Sequence, residues 1–144
     1  MSYSFEYLPD VAIADVAFAA RGTSLAELFA AAALATTGVM VDLEDIHPAT
    51  SKQMTIRADN RQDLLYQWLS ELLYVKDVDH LVFREFSIEI VERSEESVLE
   101  CTATGERIDS ARHRLGQDVK AVTYHLFEIQ EVNGEYTARV VLDI

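Results

Sequence analysis

Two aspartates sit where apolar strands are expected. Asp15 interrupts the run Ile13-Ala14-Asp15-Val16-Ala17-Phe18-Ala19, and Asp143 stands within Val140-Val141-Leu142-Asp143-Ile144. A carboxylate buried without a partner costs several kcal/mol, so each demands a cation, a base or water. Together with the carboxylate carried by the last residue, Ile144, the two side chains would form an all-oxygen cluster. Such donors suit calcium, magnesium or manganese. The plain alternative is that Asp143 is exposed at a frayed end and that Asp15 pairs with Lys120 or an arginine.

A second concentration of chemistry lies in Asp118-Val119-Lys120-Ala121-Val122-Thr123-Tyr124-His125. As a strand it would place Lys120, Val122 and Tyr124 on one face and Ala121, Thr123 and His125 on the other. Lys120 is a candidate to neutralise the acidic cluster. His125 is a candidate general base or metal ligand, or else a structural hydrogen-bonding residue. Arg112-His113-Arg114 is the one basic cluster, fitted to a phosphate, to an acidic partner loop, or simply to solvent. Asp42, Glu44 and Asp45 are either a source of a third metal oxygen or a solvated acidic loop. His47 and His80 read as surface residues. There is no Gly-rich phosphate loop, nucleophile elbow or HExxH motif, and no nucleophile–base pair at a diagnostic spacing.

The elements that must position these groups follow from periodicity and punctuation. Phe5 to Leu8 is a short β-prone segment broken by Pro9-Asp10. The apolar run from Ile13 to Ala19 suits a strand covered on both faces and ends at Gly22. Ser24-Leu25-Ala26-Glu27 is a capping box. It opens a helix that is apolar on every side and that stops near Gly38, so this helix must be well buried or covered by a partner. Residues Ser51 to Ala58 alternate as a strand. Asn60 caps a second helix with Leu64, Leu65, Trp68, Leu69, Leu72 and Leu73 on one wide stripe. Leu81 to Glu92 alternates, with a break of phase near Glu85 that predicts a bulge. Val98 to Gly105 returns as its hairpin partner, and 108–116 is irregular. Val119 to Val132 and Tyr136 to Ile144 form a last hairpin around Asn133-Gly134, a strong turn signal. The order is strand, strand, helix, strand, helix, then four strands. The predicted fold is α+β, a single domain over residues 1–144 with two helices packed on a mostly antiparallel sheet.

Composition agrees with a globular chain. Its 144 residues (16.2 kDa) are 49% hydrophobic and 26% charged. A chain of this size buries about two thirds of its unfolded surface and needs no disulfide or metal to fold. The lone Cys101, within a strand-like run, excludes an internal disulfide and a Cys-based zinc site, and reads as a buried structural thiol. The formal net charge of −13 argues against unaided binding to a phosphate backbone and favours a basic protein partner, a cation, or simply solubility. No signal-like start and no membrane-length apolar run is present, so the expectation is a cytoplasmic protein.

The motifs, in this order and spacing, resemble the archease family. The resemblance is carried by Phe5-Glu6-Tyr7-Leu8 with Ala14-Asp15-Val16, by Ser24-Leu25-Ala26-Glu27-Leu28-Phe29 with Ala32-Ala33-Leu34-Ala35, and by Gly38-Val39-Met40. It continues through Trp68-Leu69-Ser70-Glu71-Leu72-Leu73-Tyr74, Leu81-Val82-Phe83, Gly105-Glu106 and Arg112-His113. Lys120-Ala121-Val122-Thr123-Tyr124-His125 ahead of a terminal Val140-Val141-Leu142-Asp143-Ile144 is its most specific part. The resemblance implies an accessory protein of an RtcB-type RNA ligase, acting in tRNA splicing and RNA repair. That ligase joins a 2′,3′-cyclic or 3′-phosphate end to a 5′-hydroxyl end, using GTP, manganese and a guanylylated histidine of its own. The family member promotes guanylylation and multiple turnover and is not itself an enzyme.

The resemblance also implies a divalent cation, calcium foremost with magnesium or manganese as alternatives, held by Asp15, Asp143 and Ile144. Lys120 and His125 are its possible supporting residues. RNA would be engaged only indirectly, and no membrane is involved. One departure stands out. Many members read His-Thr-Ala-Asp before the early strand, whereas this chain reads Asp10-Val11-Ala12-Ile13-Ala14-Asp15 without a histidine. The competing expectation is a general chaperone-like or regulatory binding module for RNA-modifying enzymes. A metal-dependent hydrolase is the weakest reading, because no base and nucleophile are paired.

Overall fold

The computed structural model describes residues 3–9 and 15–144. The expected stretch Asp10 to Ala14, including the run that lacks the family histidine, lies outside the described residues. The elements come in the predicted order: β1 (Ser4–Tyr7), β2 (Val16–Gly22), α1 (Leu25–Met40), β3 (Thr50–Ala58), α2 (Arg61–Asp79), β4 (Leu81–Glu92), β5 (Ser97–Arg107), β6 (Ala121–Val132) and β7 (Glu135–Asp143). All strand pairs are antiparallel.

The α+β class and the antiparallel pairing agree with the sequence, but the sheet is divided in two. One sheet runs β1-β2-β7-β6 and the other β3-β5-β4. Both helices lie between them. Helix α1 packs on β1, β2 and β7 of the first sheet and on β4 of the second, while α2 packs on β3, β4 and β5 and on β6. This three-layer arrangement explains the all-apolar first helix. Ala31, Ala32, Ala33 and Ala35 are fully buried, as are Leu28 and Phe29. The second sheet covers the face that a helix lying on a single sheet would leave in water.

Local chemistry sets the helix ends. The Ser24 hydroxyl accepts from the Glu27 N–H at 3.1 Å. The Glu27 carboxylate reaches back one residue further than the simplest capping box, to the N–H of Thr23 at 2.8 Å. Helix α1 runs through Gly38 to Met40. Asn60 caps α2 by accepting from the Asp63 N–H at 2.9 Å. His80 closes α2 in the left-handed region at φ 58°. Trp68 ties the layers together: its indole N–H donates to the Phe29 carbonyl of α1 at 3.1 Å, and its ring meets Phe86 of β4 edge-on. Cys101 is buried, and that burial pushes its thiol up to about 12 despite a hydrogen bond from the Ser87 backbone, as expected for a structural cysteine. Among the described residues no helix is long and apolar enough to cross a membrane.

The bulge expected near Glu85 is present, between Phe83 and Glu85. Beside it, Gly105 of β5 approaches β4 so closely that a Cβ there would lie 2.0 Å from the Val82 carbonyl oxygen and 2.6 Å from the Phe83 Cα. Both obstacles are backbone, so they cannot swing aside. Gly105→Ala is therefore expected to lower the unfolding free energy by about 2 kcal/mol or more. A fall in the urea midpoint at unchanged slope would register this, and a midpoint equal to wild type would refute the close approach.

Candidate functional site

The register of β2 on β7 builds the site. Val16 stands opposite Leu142, and the pairing continues without a slip to Gly22 opposite Tyr136. Asp15 immediately precedes Val16 and Asp143 immediately follows Leu142, so both stand at this end of the pairing. On the other side of β7, Asp143 pairs with Ala121, and the Lys120 N–H donates to the Asp143 carbonyl at 2.8 Å. The start of β2, the end of β7 and the start of β6 therefore converge at one end of the first sheet. Asp15, Asp143 and Ile144 are each half-buried there. They lie at the rim of a core containing the fully buried Phe18, Val140 and Leu142. This half-buried setting spares them the full cost of burying an ion.

Among the described residues, neither Asp15 nor Asp143 has an ion-pair partner, Lys120 included. The neighbouring cation, Lys76, is engaged with Asp118 at 2.6 Å and Asp77 at 3.1 Å. Among the described residues, no three His, Cys, Asp or Glu side chains gather into a metal-holding group. The tip offers two side-chain carboxylates, and Ile144 would have to supply the next oxygen. A cleft of about 340 Å³ opens beside Asp15, bounded by Tyr7, Gly38, Val39 and Gln117. The Tyr7 hydroxyl donates to the Ala35 carbonyl at 2.8 Å, and burial pushes its phenol up to about 12.

His125 is exposed and does not reach the tip. Its N–H donates to the Thr123 hydroxyl at 3.3 Å, and Thr123 in turn donates to the Val141 carbonyl at 3.0 Å. The alternation expected along Lys120 to His125 fails after Thr123, because the ladder breaks between Thr123 and Glu128. Tyr124 stacks on Tyr66 of α2, with centroids 4.2 Å apart and planes 9° from parallel.

The basic run Arg112-His113-Arg114 exposes both arginines, as a solvated loop would, but it is not an open phosphate site, because it clamps the chain's own acids. Arg114 pairs with Asp42 and Asp45, and Arg112 donates to the Asp45 carbonyl and to the Glu106 carboxylate. Asp42 also caps the 3-10 turn Leu43–Asp45 by accepting from the Glu44 N–H. Asp42 and Asp45 are thus occupied and are not spare metal oxygens.

His113 is buried. Its Nδ1 accepts from the Asp109 N–H at 2.8 Å, so its Nε2 carries the proton and donates to Glu106 at 2.8 Å. Sequence reasoning missed Glu106 as the hub of this network, and no spacing signalled it. His47 and His80 are exposed, as expected.

Burial opposes the charge on Glu106, but hydrogen bonds from Arg112, the His47 N–H and His113 outweigh it and hold the carboxyl at about 2. The folded value is depressed, so its stabilising effect is complete above the ordinary glutamate range, near pH 4.3. That effect is lost as pH falls toward 2. Urea midpoints measured between pH 5 and pH 2.5 should drop more steeply for wild type than for Glu106→Gln. Parallel slopes would show that the network carries no charge-dependent stability.

Comparison with known proteins places this geometry. The model of the archease protein family (MTH1598/TM1083) matches residues 5–144. A protein archease of Methanothermobacter thermautotrophicus is 40% identical over 131 residues, 91% of this chain and 93% of that protein. Another from Methanosarcina mazei is 36% identical over 141 residues, 97% of this chain and 95% of its own length. The solution structure of Methanobacterium thermoautotrophicum protein 1598 superposes with a TM-score of 0.84 at 38% identity, covering 97% of this chain and 98% of that one. The crystal structure of a Thermotoga maritima archease, described as a possible chaperone, shares the fold at a TM-score of 0.57 and 18% identity, over 95% and 96% of the two chains.

Proposed function

This chain belongs to the archease family, and on that premise we propose that it is a non-enzymatic activator of an RtcB-type 3′-phosphate RNA ligase in tRNA splicing and RNA repair. The observation that carries this reading is the convergence of Asp15 and Asp143 at one end of the first sheet, imposed by the β2–β7 register. In this reading the acidic tip enters the mouth of the ligase active site and favours the state that accepts GMP, so that the ligase turns over repeatedly.

Asp15, Asp143 and Ile144 would hold a divalent cation, calcium foremost. The donor set fits, because hard oxygen ligands with no sulfur or imidazole select calcium, magnesium or manganese. A cation held by these residues would supply positive charge at an otherwise anionic tip. The chain's own part is to hold two carboxylates at the sheet end, with the backbone of Lys120 pinning the Asp143 peptide. Lys120 and His125 are supporting residues of the surrounding surface rather than ligands in this reading, and RNA is engaged only through the ligase. That the Thermotoga maritima archease is described as a possible chaperone supports a second reading, a general chaperone-like or regulatory binding module.

Turnover of a 3′-phosphate RNA by the ligase of the same organism, with GTP and manganese, tests both. Wild type should raise the number of products per ligase well above one. Asp15→Ala and Asp143→Ala should abolish that gain, with melting temperatures close to wild type. Stimulation by wild type and by both variants would keep the activator and discard the acidic site. A wild type without effect would leave the binding-module reading in its place.

A further inference from the structure

Beyond the acidic tip, β6 carries a second surface device. Four of its residues, Tyr124 to Phe127, lie opposite the single Val140 of β7, where a regular ladder would place one. Leu126 sits in the left-handed region at φ 57°. That conformation is costly for a leucine, and such strain persists only where the surroundings impose it. The imposed contacts are visible: Thr123 holds the His125 N–H, and Arg139 Nε donates to the Leu126 carbonyl at 3.3 Å.

The result is a fixed projection rather than a loose loop. Tyr124 rests flat on Tyr66, and Phe127 meets both rings edge-on. Yet Tyr124 remains 60% exposed and Leu126 39% exposed. A large, pre-organised aromatic side chain left in water is the usual form of a binding anchor.

We infer that the Tyr124–Leu126 bulge is a docking knob for an arginine-bearing surface of a protein partner, resting on the reading that this partner is the ligase. Two observations select the occupant. The first is charge. The chain carries −13 overall, and Asp63 stands one helical turn before Tyr66 on α2, the residue on which Tyr124 stacks. An exposed tyrosine beside a carboxylate favours a guanidinium stacked on it, while the same acidity disfavours RNA phosphates. The second is position. Ala121 pairs with Asp143, and Tyr124 follows three residues later, roughly 10 Å along the strand. A standard interface of about 800 Å² per partner is roughly 30 Å across, so tip and knob fit within one footprint.

Calorimetric titration of the purified ligase with wild type, Tyr124→Phe, Tyr124→Ala, Leu126→Asn and Asp143→Ala tests the inference, with a melting curve for each variant. Tyr124→Ala should weaken Kd by about tenfold or more, while Tyr124→Phe, which keeps the ring, should stay within about twofold. Leu126→Asn relieves the left-handed backbone, because asparagine tolerates that region, so it should weaken binding without lowering the melting temperature. A purely structural bulge would lower both together.

Wild-type affinity in Tyr124→Ala overturns the knob and leaves the ligase reading standing. A wild type that does not bind the ligase overturns that reading and the knob with it. Capture of a single-stranded RNA oligonucleotide by wild type, lost in Tyr124→Ala, would make the tyrosine stack a base platform and overturn the protein-docking assignment.

Discussion

Strand β2 meets β7 residue for residue, from Val16 opposite Leu142 to Gly22 opposite Tyr136, and much else depends on that pairing. It joins opposite ends of the chain in the middle of the first sheet. One face of the pair carries Phe18, Ala20, Ala138, Val140 and Leu142 into the core, and all five are essentially inaccessible to water. A slip of β2 by one residue against β7 would turn Phe18 and Ala20 outward and bring the half-buried Ala19 and the exposed Arg21 toward the core in their place. The cost of that exchange locks the register. The locked register in turn brings Asp15, next to Val16, and Asp143, next to the buried Leu142, to the same end of the sheet. The site needs no separate device to assemble it.

The same logic governs the layers. A helix with alanines and leucines on all sides is stable in water only when every side is covered. Helix α1 meets that condition by lying between two sheets, and its small side chains let both sheets approach. Helix α2 is more amphipathic. It exposes Tyr74 and Val78 on one flank while placing Trp68 and its leucines inward. The fixed helices then support the surface features: α1 floors the cleft beside Asp15 through Gly38 and Val39, and α2 offers Tyr66 as the base on which Tyr124 stacks.

How far the sequence reveals this depends on the range of the interaction. Signals acting over a few residues were legible. Ser24 and Asn60 as caps, Asn133-Gly134 as a turn with both residues at positive φ, and the phase break near Glu85 all appear where expected. Asp15 and Asp143 were legible as candidates because a charge in an apolar run is locally anomalous. The division into two sheets was not legible, since strand alternation says which face is apolar but not which strand is the neighbour. The all-apolar character of α1 was its only trace. The bulge at Tyr124–Phe127 was hidden for a related reason. Its residues are good strand formers, and the break comes from tertiary contacts with Tyr66 and Arg139. Glu106 was hidden because its partners Arg112, His113 and the His47 N–H reach it from two separate loops.

The arrangement of charge gives the tip its character. Four of the twelve basic residues are engaged with other acids: Arg61 with Glu92 and Glu131, Arg57 with Glu96, Arg112 with Glu106, and Arg114 with Asp42 and Asp45. These pairs join loops and strand ends that the core alone does not hold. They leave the chain's excess of acids without basic partners elsewhere, and among the described residues Asp15 and Asp143 belong to that excess. An uncompensated carboxylate pair at a sheet end attracts cations and basic surfaces over about one Debye length, roughly 10 Å at moderate salt. It does not by itself give a long-lived complex, because exposed charges are worth little once solvated and screened. A rigid aromatic projection at a comparable distance supplies the complementary property, a desolvated contact that slows dissociation. Long-range attraction and short-range anchoring are thus built from one end of one sheet. The strand that pins Asp143 through Lys120 is the strand that, a few residues later, bulges to present Tyr124.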